Sequence, residues 1–331
     1  MSIFRQNIQG DFLQIRFGYV AMSMMLEDCS PSKTITVTNL SKIEAEEGRI
    51  RKLTSLAKTN LDNTQRLFYH NQAHDIKVFR ITSKLIPLGT HPITRNWDWL
   101  AAIGDNLGIL GSYAKEHGFR ISAHPDHYTL LNSPKEEVFK KSIEDLEYHC
   151  KIFDRMGLDS SAKLVIHVGG CYGNKTDSIQ RFINNYQDLP AQLKNRIILE
   201  NDDKIYTARD VLSICEHLGI PMVLDIHHHW CNNNNDDIKA YLPAIFNTWT
   251  HETLVPKIHL SSPKDDKKYR SHADNIDPVL FLDFLQTTKT INSDFDVMIE
   301  AKNKDLALFN LMKDMKNSPE YRFTSEASIE F

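Results

Sequence analysis

The stretch from Arg196 to His229, RIILENDDKIYTARDVLSICEHLGIPMVLDIHHH, contains the pattern that decides the fold. It opens with Arg196–Glu200, a short apolar run typical of a strand that is buried on both faces. Thr207–Leu218 follows, with apolar residues at helical spacing, and Gly219 marks its end. A second apolar run, Met222–Ile226, comes next. This order predicts two parallel strands that are joined by a helical crossover.

The same unit recurs along the chain. The predicted strands are Ile15–Val20, Lys77–Thr82, Arg120–Ala123, Lys163–Val168, Arg196–Glu200, Met222–Ile226, Lys257–Leu260 and Asp296–Glu300. The clearest helix is Lys135–Met156, which ends before Gly157. Eight such units close a (β/α)₈ barrel, so one α/β domain, a TIM barrel, is predicted over residues 1–331, with its core at about 15–315 and a polar tail at 316–331. A doubly wound sheet is the alternative, but no GxGxxG motif follows the first strand.

The composition is that of an ordinary globular protein, with 41% hydrophobic and 25% charged residues among 331. The net charge of −4 excludes a globally basic nucleic-acid binder, so any nucleic acid would be held by a local patch. The start of the chain does not resemble a signal peptide, and no stretch approaches the ~20 apolar residues of a membrane span. Five scattered cysteines without a CxxC pair argue against a disulfide framework. We expect a cytoplasmic monomer.

Residues with reactive side chains stand at the carboxyl ends of six consecutive predicted strands. In chain order they are His124, His167, Glu200, Asp225, His259 and Glu300. Any one of them could be an ordinary hydrogen-bonded or solvated residue, but the strand ends of a parallel barrel converge on one face, where active sites form. His91, His272 and the run His227-His228-His229 could join this group from the loops.

Imidazole mixed with carboxylate, and no cysteine, suits Mn²⁺, Zn²⁺ or Fe²⁺ rather than Ca²⁺. These donors exceed what one ion binds, so two or three divalent metals are predicted. Carboxylates such as Glu200 and Glu300 can bridge ions ~3.5–4 Å apart, an arrangement that serves phosphoryl transfer. The residues therefore favour phosphodiester hydrolysis by metal-activated hydroxide. A metal-dependent sugar isomerase and a histidine-rich metal-binding protein without catalysis are the alternatives.

Seven segments resemble, in order and spacing, the UV damage endonucleases, which are relatives of the endonuclease IV barrels. They are Arg16-Phe17-Gly18-Tyr19, Thr90-His91-Pro92, Ser122-Ala123-His124-Pro125, Ile166-His167-Val168-Gly169-Gly170, Leu199-Glu200-Asn201-Asp202, Leu224-Asp225-Ile226-His227-His228 and Lys257-Ile258-His259. The resemblance extends from about Arg16 to Glu300 and implies a TIM barrel with up to three metals, usually Mn²⁺. It also implies an enzyme that nicks duplex DNA immediately 5′ of cyclobutane pyrimidine dimers and 6-4 photoproducts, leaving a 3′-hydroxyl and a 5′-phosphate. An apurinic-site endonuclease is the second possibility on this barrel.

The same resemblance implies a set of metal ligands. They are His91, His124, His167, Glu200, Asp225, His228, His259, His272 and Glu300. The family spacing favours His228, and His227 or His229 remains the alternative. Glu200, Glu300 and Lys257 would be catalytic. Lys257 takes the place of a lysine that the family carries in carboxylated form beside the metals, and a desolvated lysine near cations can lose its proton and add CO₂.

The residues expected to bind DNA or the lesion lie in loops, or in the case of Tyr19 at a strand end, where a packed aromatic residue is the ordinary alternative. They are Tyr19, His127, Tyr128, Asn174, Lys175, Lys267, Lys268 and Arg270. The last three, with Lys264, form the best local basic patch, for which a solvated loop is the ordinary alternative. The family commonly has Gln-Tyr where this chain has His127-Tyr128, and asparagine where it has Ser23. Both departures concern lesion recognition and not the metals.

Overall fold

Eight parallel strands close into a barrel in the computed structural model, which describes residues 13–289, 291, 293–316 and 318–331. The strands are β1 Gln14–Val20, β2 Val78–Ile81, β3 Arg120–Ala123, β4 Lys163–His167, β5 Ile197–Glu200, β6 Met222–Asp225, β7 Lys257–Leu260 and β8 Phe295–Ile299. Each strand pairs with the next, and β1 pairs with both β8 and β2, which closes the ring. The predicted TIM barrel is confirmed, and each predicted strand end lies within one residue of the observed end.

Helices connect the strands and cover the outside of the barrel. Those in the described residues are α1 Val37–Ser41, α2 Glu46–Ala73, α3 Trp99–Glu116, α4 Glu136–Arg155, α5 Lys175–Gln187, α6 Ala191–Lys194, α7 Ala208–Leu218, α8 Ile226–Cys231, α9 Leu242–Asn247, α10 Pro278–Thr288 and α11 Lys304–Met315. The predicted helix at Thr207–Leu218 is α7. The side chains of Thr207 and Asp210 cap its start reciprocally, and Gly219 ends it in the left-handed conformation. None of the described helices is long and apolar enough to cross a membrane.

An ion-pair network occupies the amino-terminal end of the barrel. The carboxylate of Asp296, which is fully buried, accepts a hydrogen bond from Arg16 Nε at 2.7 Å and one from Arg120 Nη1 at 2.6 Å. A buried carboxylate without partners would be costly, and the two guanidinium groups satisfy both of its oxygens. The charged groups at this end therefore pair with one another, and the residues at the opposite end are available for a site.

The end of the chain differs from the expected polar tail at 316–331. Two further strands, β9 Arg322–Ser325 and β10 Ser328–Glu330, form there, and β10 pairs antiparallel with β1. The reason lies in the register of β1. Its first residues extend beyond the pairing with β2, which begins only at Gly18, and their backbone groups need partners. Ile329 is fully buried as a result.

The close approach of β1 to β2 makes Gly18 indispensable. A Cβ at this position would lie 1.9 Å from the carbonyl oxygen of Val78, and the β1–β2 ladder holds both backbones in place. We expect Gly18→Ala to lower the free energy of unfolding by about 3 kcal/mol, measured by urea denaturation. The control is Gly108→Ala in α3, where a Cβ meets no atom within 4 Å, and it should raise stability by about 0.5–1 kcal/mol. A Gly18→Ala protein as stable as the wild type would contradict this prediction.

Candidate metal centre

Side chains from six consecutive strands, β3 to β8, meet at the carboxyl end of the barrel. Their ligand atoms form two groups, and within each group the atoms lie within 4.8 Å of one another. The first group is His124, His167 and Glu200; the second is Glu200, Asp225, His259 and Glu300. The six strand-end residues singled out from the sequence therefore come together, and Glu200 belongs to both groups.

Glu200 joins the two groups through its two carboxylate oxygens. Oε2 lies 3.1 Å from His124 Nε2 and 3.8 Å from His167 Nε2, whereas Oε1 lies 2.8 Å from His259 Nδ1. Burial alone would raise the pKa of Glu200, but the charges of His259 and His167 and the hydrogen bonds to this carboxylate hold the pKa well below its usual range. Glu200 is thus an ionised carboxylate that can bridge two cations.

His259 lies between two carboxylates. Its Nδ1 is 2.8 Å from Glu200 Oε1 and 3.0 Å from Glu300 Oε1. Burial lowers the pKa of His259, but the two carboxylates outweigh burial and raise the pKa to about 9. A positive charge is therefore strongly favoured at this point between the two glutamates.

The donor set fits divalent cations. Asp225 is fully buried, and burial raises its pKa to about 6 against the opposing charge of His228. Among the described residues, Asp225 Oδ2 and His259 Nε2 have no hydrogen-bond partner, although buried polar atoms are nearly always paired. Unpaired donor atoms beside shared carboxylates suit a metal, and the mix of imidazole and carboxylate suits Mn²⁺, Zn²⁺ or Fe²⁺.

Of the three consecutive histidines, His228 faces these groups. Its Nδ1 lies 3.7 Å from both Glu200 Oε1 and Asp225 Oδ2, and its ring centroid is 5.6 Å from that of His167. Burial lowers the pKa of His228, but the neighbouring carboxylates raise it to about 9. This placement favours His228 as the ligand from the run.

His227 is engaged elsewhere, whereas Nδ1 of His229 is buried without a hydrogen-bond partner among the described residues. Both ring nitrogens of His227 make 2.7 Å hydrogen bonds, Nδ1 with Ser261 Oγ and Nε2 with the carbonyl oxygen of Tyr269. Burial lowers the pKa of His229, and the acidic residues that oppose this effect are Asp236 and Asp237, which belong to neither metal group. Neither ring is placed like that of His228.

The two predicted ligands from loops differ in their placement. His272 lies at the edge of the site, with Nδ1 2.8 Å from the carbonyl oxygen of Glu300 and its ring centroid 6.3 Å from that of His228. His91 does not join either group. It is exposed and caps the 3₁₀ helix Pro92–Thr94, because its Nδ1 accepts a hydrogen bond from the backbone of Ile93. The prediction of His91 as a ligand is not supported by this geometry.

Lys257 lies inside the barrel, next to the site. Its side chain is almost fully buried, and Nζ donates a hydrogen bond to Ser122 Oγ at 3.1 Å. Burial, reinforced by the positive charge of Arg120, lowers the pKa of Lys257 well below its usual value. The amine can therefore be neutral, which is the form that adds CO₂.

Arg80 is a site residue that the strand-end pattern did not include. Its Nη1 lies 2.5 Å from Glu300 Oε1, and its charge, together with that of His259, outweighs the effect of burial and lowers the pKa of Glu300 well below its usual range. The sequence did contain a signal, since Arg80 is the charged residue in the buried strand Val78–Ile81.

Three of the predicted DNA-binding residues make structural contacts within the chain. Tyr19 is fully buried and donates a 2.6 Å hydrogen bond to Asn71, because its side chain points into the packing between β1 and the surrounding helices. Asn174 caps α5. Lys175 lies 2.5 Å from Asp210, the residue that also caps α7, so its charge is already paired. The burial of Tyr19 keeps its side chain away from the surface, whereas contact of DNA with Asn174 and Lys175, which are exposed and partly exposed, stays a prediction.

The remaining predicted DNA-binding residues lie at the rim of the site. Tyr128 is 71% exposed, and its ring centroid is 3.9 Å from that of His127, which also lines the cavity beside His124 and His167. Lys267 and Lys268 are exposed on the 3₁₀ helix Asp266–Lys268, in the loop after β7. Arg270 follows them and lies 3.8 Å from Asp203.

Comparison with known proteins places the chain in a family. The sequence model of UV-endonuclease UvdE matches residues 15–331. The chain is 43% identical over 317 residues to the UV DNA damage endonuclease of Bacillus thuringiensis subsp. konkukian (strain 97-27), covering 96% of this chain and 99% of that protein. The crystal structure of SacUVDE superposes with a TM-score of 0.80 at 34% identity, covering 91% of this chain and 98% of that one.

A more distant similarity shows the fold alone. The xylose isomerase domain protein of Planctomyces limnophilus superposes with a TM-score of 0.51 at 15% identity, covering 76% of this chain and 92% of that one. The family match, in contrast, extends over almost the whole chain and includes all six strand-end residues. The protein is therefore a member of the UV-endonuclease UvdE family.

Proposed function

We propose that this protein is a DNA-repair endonuclease that nicks duplex DNA immediately 5′ of UV photoproducts, leaving a 3′-hydroxyl and a 5′-phosphate. The observation that carries the proposal is the double donor group around Glu200, since two neighbouring cations can stabilise both the attacking and the leaving oxygen in phosphodiester hydrolysis. The relatives named UV DNA damage endonuclease support the choice of substrate. Cyclobutane pyrimidine dimers and 6-4 photoproducts are the proposed lesions.

Two or three divalent ions would occupy the site, and Mn²⁺ is the metal that we propose. The residues proposed to hold them are His124, His167, Glu200, Asp225, His228, His259, His272 and Glu300. When bound, such ions acidify water and neutralise the charge of the scissile phosphate. The chain itself contributes the orientation of its carboxylates, because Arg80 and His259 hold Glu300 in place by hydrogen bonds.

We further propose that Lys257 is carboxylated on Nζ when the enzyme is active. Its burial and the neighbouring charge of Arg120 favour the neutral amine that reacts with CO₂. The product would add an anionic oxygen donor beside the metal groups. Mass spectrometry can lose the CO₂, so the test is electron density on Nζ in a crystal grown with bicarbonate. Density for an unmodified amine would contradict this assignment.

The rim supplies the proposed contacts to DNA. Tyr128 and His127 would probe the lesion, and Lys267, Lys268 and Arg270 would bind the phosphate backbone; the exposure of Tyr128 and of the three basic residues supports this assignment. Opening of the duplex at the damaged bases costs less energy than opening of intact pairs, which gives a physical basis for lesion selectivity. We propose that the enzyme acts as a cytoplasmic monomer.

Removal of either bridging carboxylate should abolish nicking. We expect Glu200→Gln and Glu300→Gln to lose at least about 100-fold in nicking rate, because an amide cannot replace an anionic metal ligand in a buried site. The measurement is nicking of duplexes that contain one cyclobutane dimer, one abasic site or no damage. The control is Glu116→Gln at the exposed end of α3. Full activity in either site variant would contradict the assignment, and cleavage of only the abasic duplex by the wild type would favour an apurinic-site enzyme.

Metal binding should also be visible without catalysis. EDTA should stop nicking and Mn²⁺ should restore it. Addition of Mn²⁺ to the EDTA-treated protein should raise its thermal unfolding midpoint, because a ligand that binds only the folded state stabilises it. We expect this shift to be much smaller in Asp225→Asn, which removes a buried donor. Nicking that persists in EDTA, or an equal shift in both proteins, would contradict the proposed centre.

The basic loop should set part of the salt dependence of DNA binding. Substitution of both Lys267 and Lys268 with Gln should reduce the slope of log K against log[salt] by about 1.8, that is ~0.9 for each phosphate that the protein no longer neutralises. The matched control is the double substitution of Lys140 and Lys141, an adjacent exposed pair on the outer face of α4. An unchanged slope after substitution of Lys267 and Lys268 would exclude phosphate binding at this loop.

A further inference from the structure

We propose that Tyr172 is a second base-stacking residue, in addition to Tyr128, and that it holds a nucleobase displaced from the duplex at the lesion. This inference rests on the proposed function. Tyr172 lies in the loop after β4, five residues beyond His167 of the first metal group. Its side chain is 44% exposed, which is unusual for a large aromatic ring beside a buried polar centre.

The backbone at Tyr172 is held in a conformation that disfavours tyrosine. Its φ is 45°, in the left-handed region, and two flanking residues with positive φ, Gly169 at 117° and Gly173 at 85°, are glycines. A side chain with a Cβ costs free energy in this region, and such strain concentrates at functional sites. Glycine would relieve the strain here, and the contacts of the ring with Gly170 and Arg181 leave its side chain 44% exposed.

A buried asparagine couples this loop to the loop that carries Tyr128. Asn132, fully buried, donates a 2.7 Å hydrogen bond from Nδ2 to the carbonyl oxygen of Gly170. The backbone carbonyl of Asn132 in turn accepts a 3.0 Å hydrogen bond from Arg181. The two loops follow the adjacent strands β3 and β4, so this hydrogen bond ties the loop of Tyr172 to the loop of Tyr128 at the carboxyl end of the barrel.

The surroundings of the ring suit a nucleobase. The guanidinium carbon of Arg181 lies 6.0 Å from the centroid of the Tyr172 ring. The positive charge of Arg181 could attract a phosphate of a DNA strand that approaches the ring. Aromatic rings stack on the face of any base, so this contact would contribute affinity without sequence preference. A photoproduct weakens stacking and pairing around it, and this makes a base available to the ring.

The first test is the affinity for a duplex with one cyclobutane dimer, measured in EDTA so that no cleavage occurs. We expect Tyr172→Ala to weaken binding by about 5- to 100-fold, the range for removal of one stacked base, and Tyr172→Phe to bind like the wild type. The matched control is Tyr69→Ala, since Tyr69 is 54% exposed on α2, outside the barrel, and its substitution should leave affinity unchanged.

The second test separates stacking from a structural role. Tyr172→Gly should raise the thermal unfolding midpoint, because it relieves the left-handed strain, and yet weaken binding as much as Tyr172→Ala. A purely structural tyrosine would instead lose stability and affinity together. Wild-type affinity in Tyr172→Ala would overturn the stacking proposal and leave the proposed function intact. A wild-type protein that neither binds nor nicks damaged duplex would overturn both.

Discussion

The pairing of β1 with both β8 and β2 is the constraint on which the site depends. In an open sheet, β3 and β8 would lie five strand spacings apart, about 24 Å at ~4.8 Å for each spacing. Closure brings their ends together, so that Glu200 contacts His124 after β3 on one side and His259 on the other, and His259 contacts Glu300 after β8. The absence of a side chain at Gly18 permits the close β1–β2 approach that completes the ring.

Charges inside the barrel are arranged in layers. At the amino-terminal end, Asp296 is shared by two arginines. The pKa of the buried Lys257 is lowered by burial and by the charge of Arg120, which favours the neutral amine. At the carboxyl end the acidic groups outnumber the arginines. Three carboxylates, those of Glu200, Asp225 and Glu300, lie there together with the imidazoles and one guanidinium group, that of Arg80. Buried charge is tolerated only with partners, and in the lower layer Arg16 and Arg120 pair with both oxygens of Asp296. In the upper layer Asp225 Oδ2 and His259 Nε2 are buried without a partner among the described residues, beside carboxylates that suit a divalent cation.

The sequence predicted the barrel and most of the site because both follow from short, local patterns. Apolar runs with a polar residue at the last position identified the strands and, through them, the six converging ligands. Local patterns could not decide between His227 and His228, since that choice depends on the distant partners Ser261 and Tyr269. The burial of Tyr19 depends in the same way on Asn71 in α2. Errors therefore arose where a polar side chain had a partner remote in sequence.

The residues proposed for catalysis and those proposed for lesion recognition lie on different parts of the barrel, the first at strand ends and the second in a loop. The side chains of the two candidate metal groups stand on strand ends that barrel closure fixes, and a change there would disturb several contacts at once. Tyr128 and His127 project from a loop, with Tyr128 mostly exposed, so a different residue at 127 alters what is probed without moving the metal groups. Imidazole in place of the family's amide keeps a hydrogen-bonding group at the rim and adds a flat ring that can stack. Variation in lesion preference within one catalytic framework is the expected consequence of this arrangement.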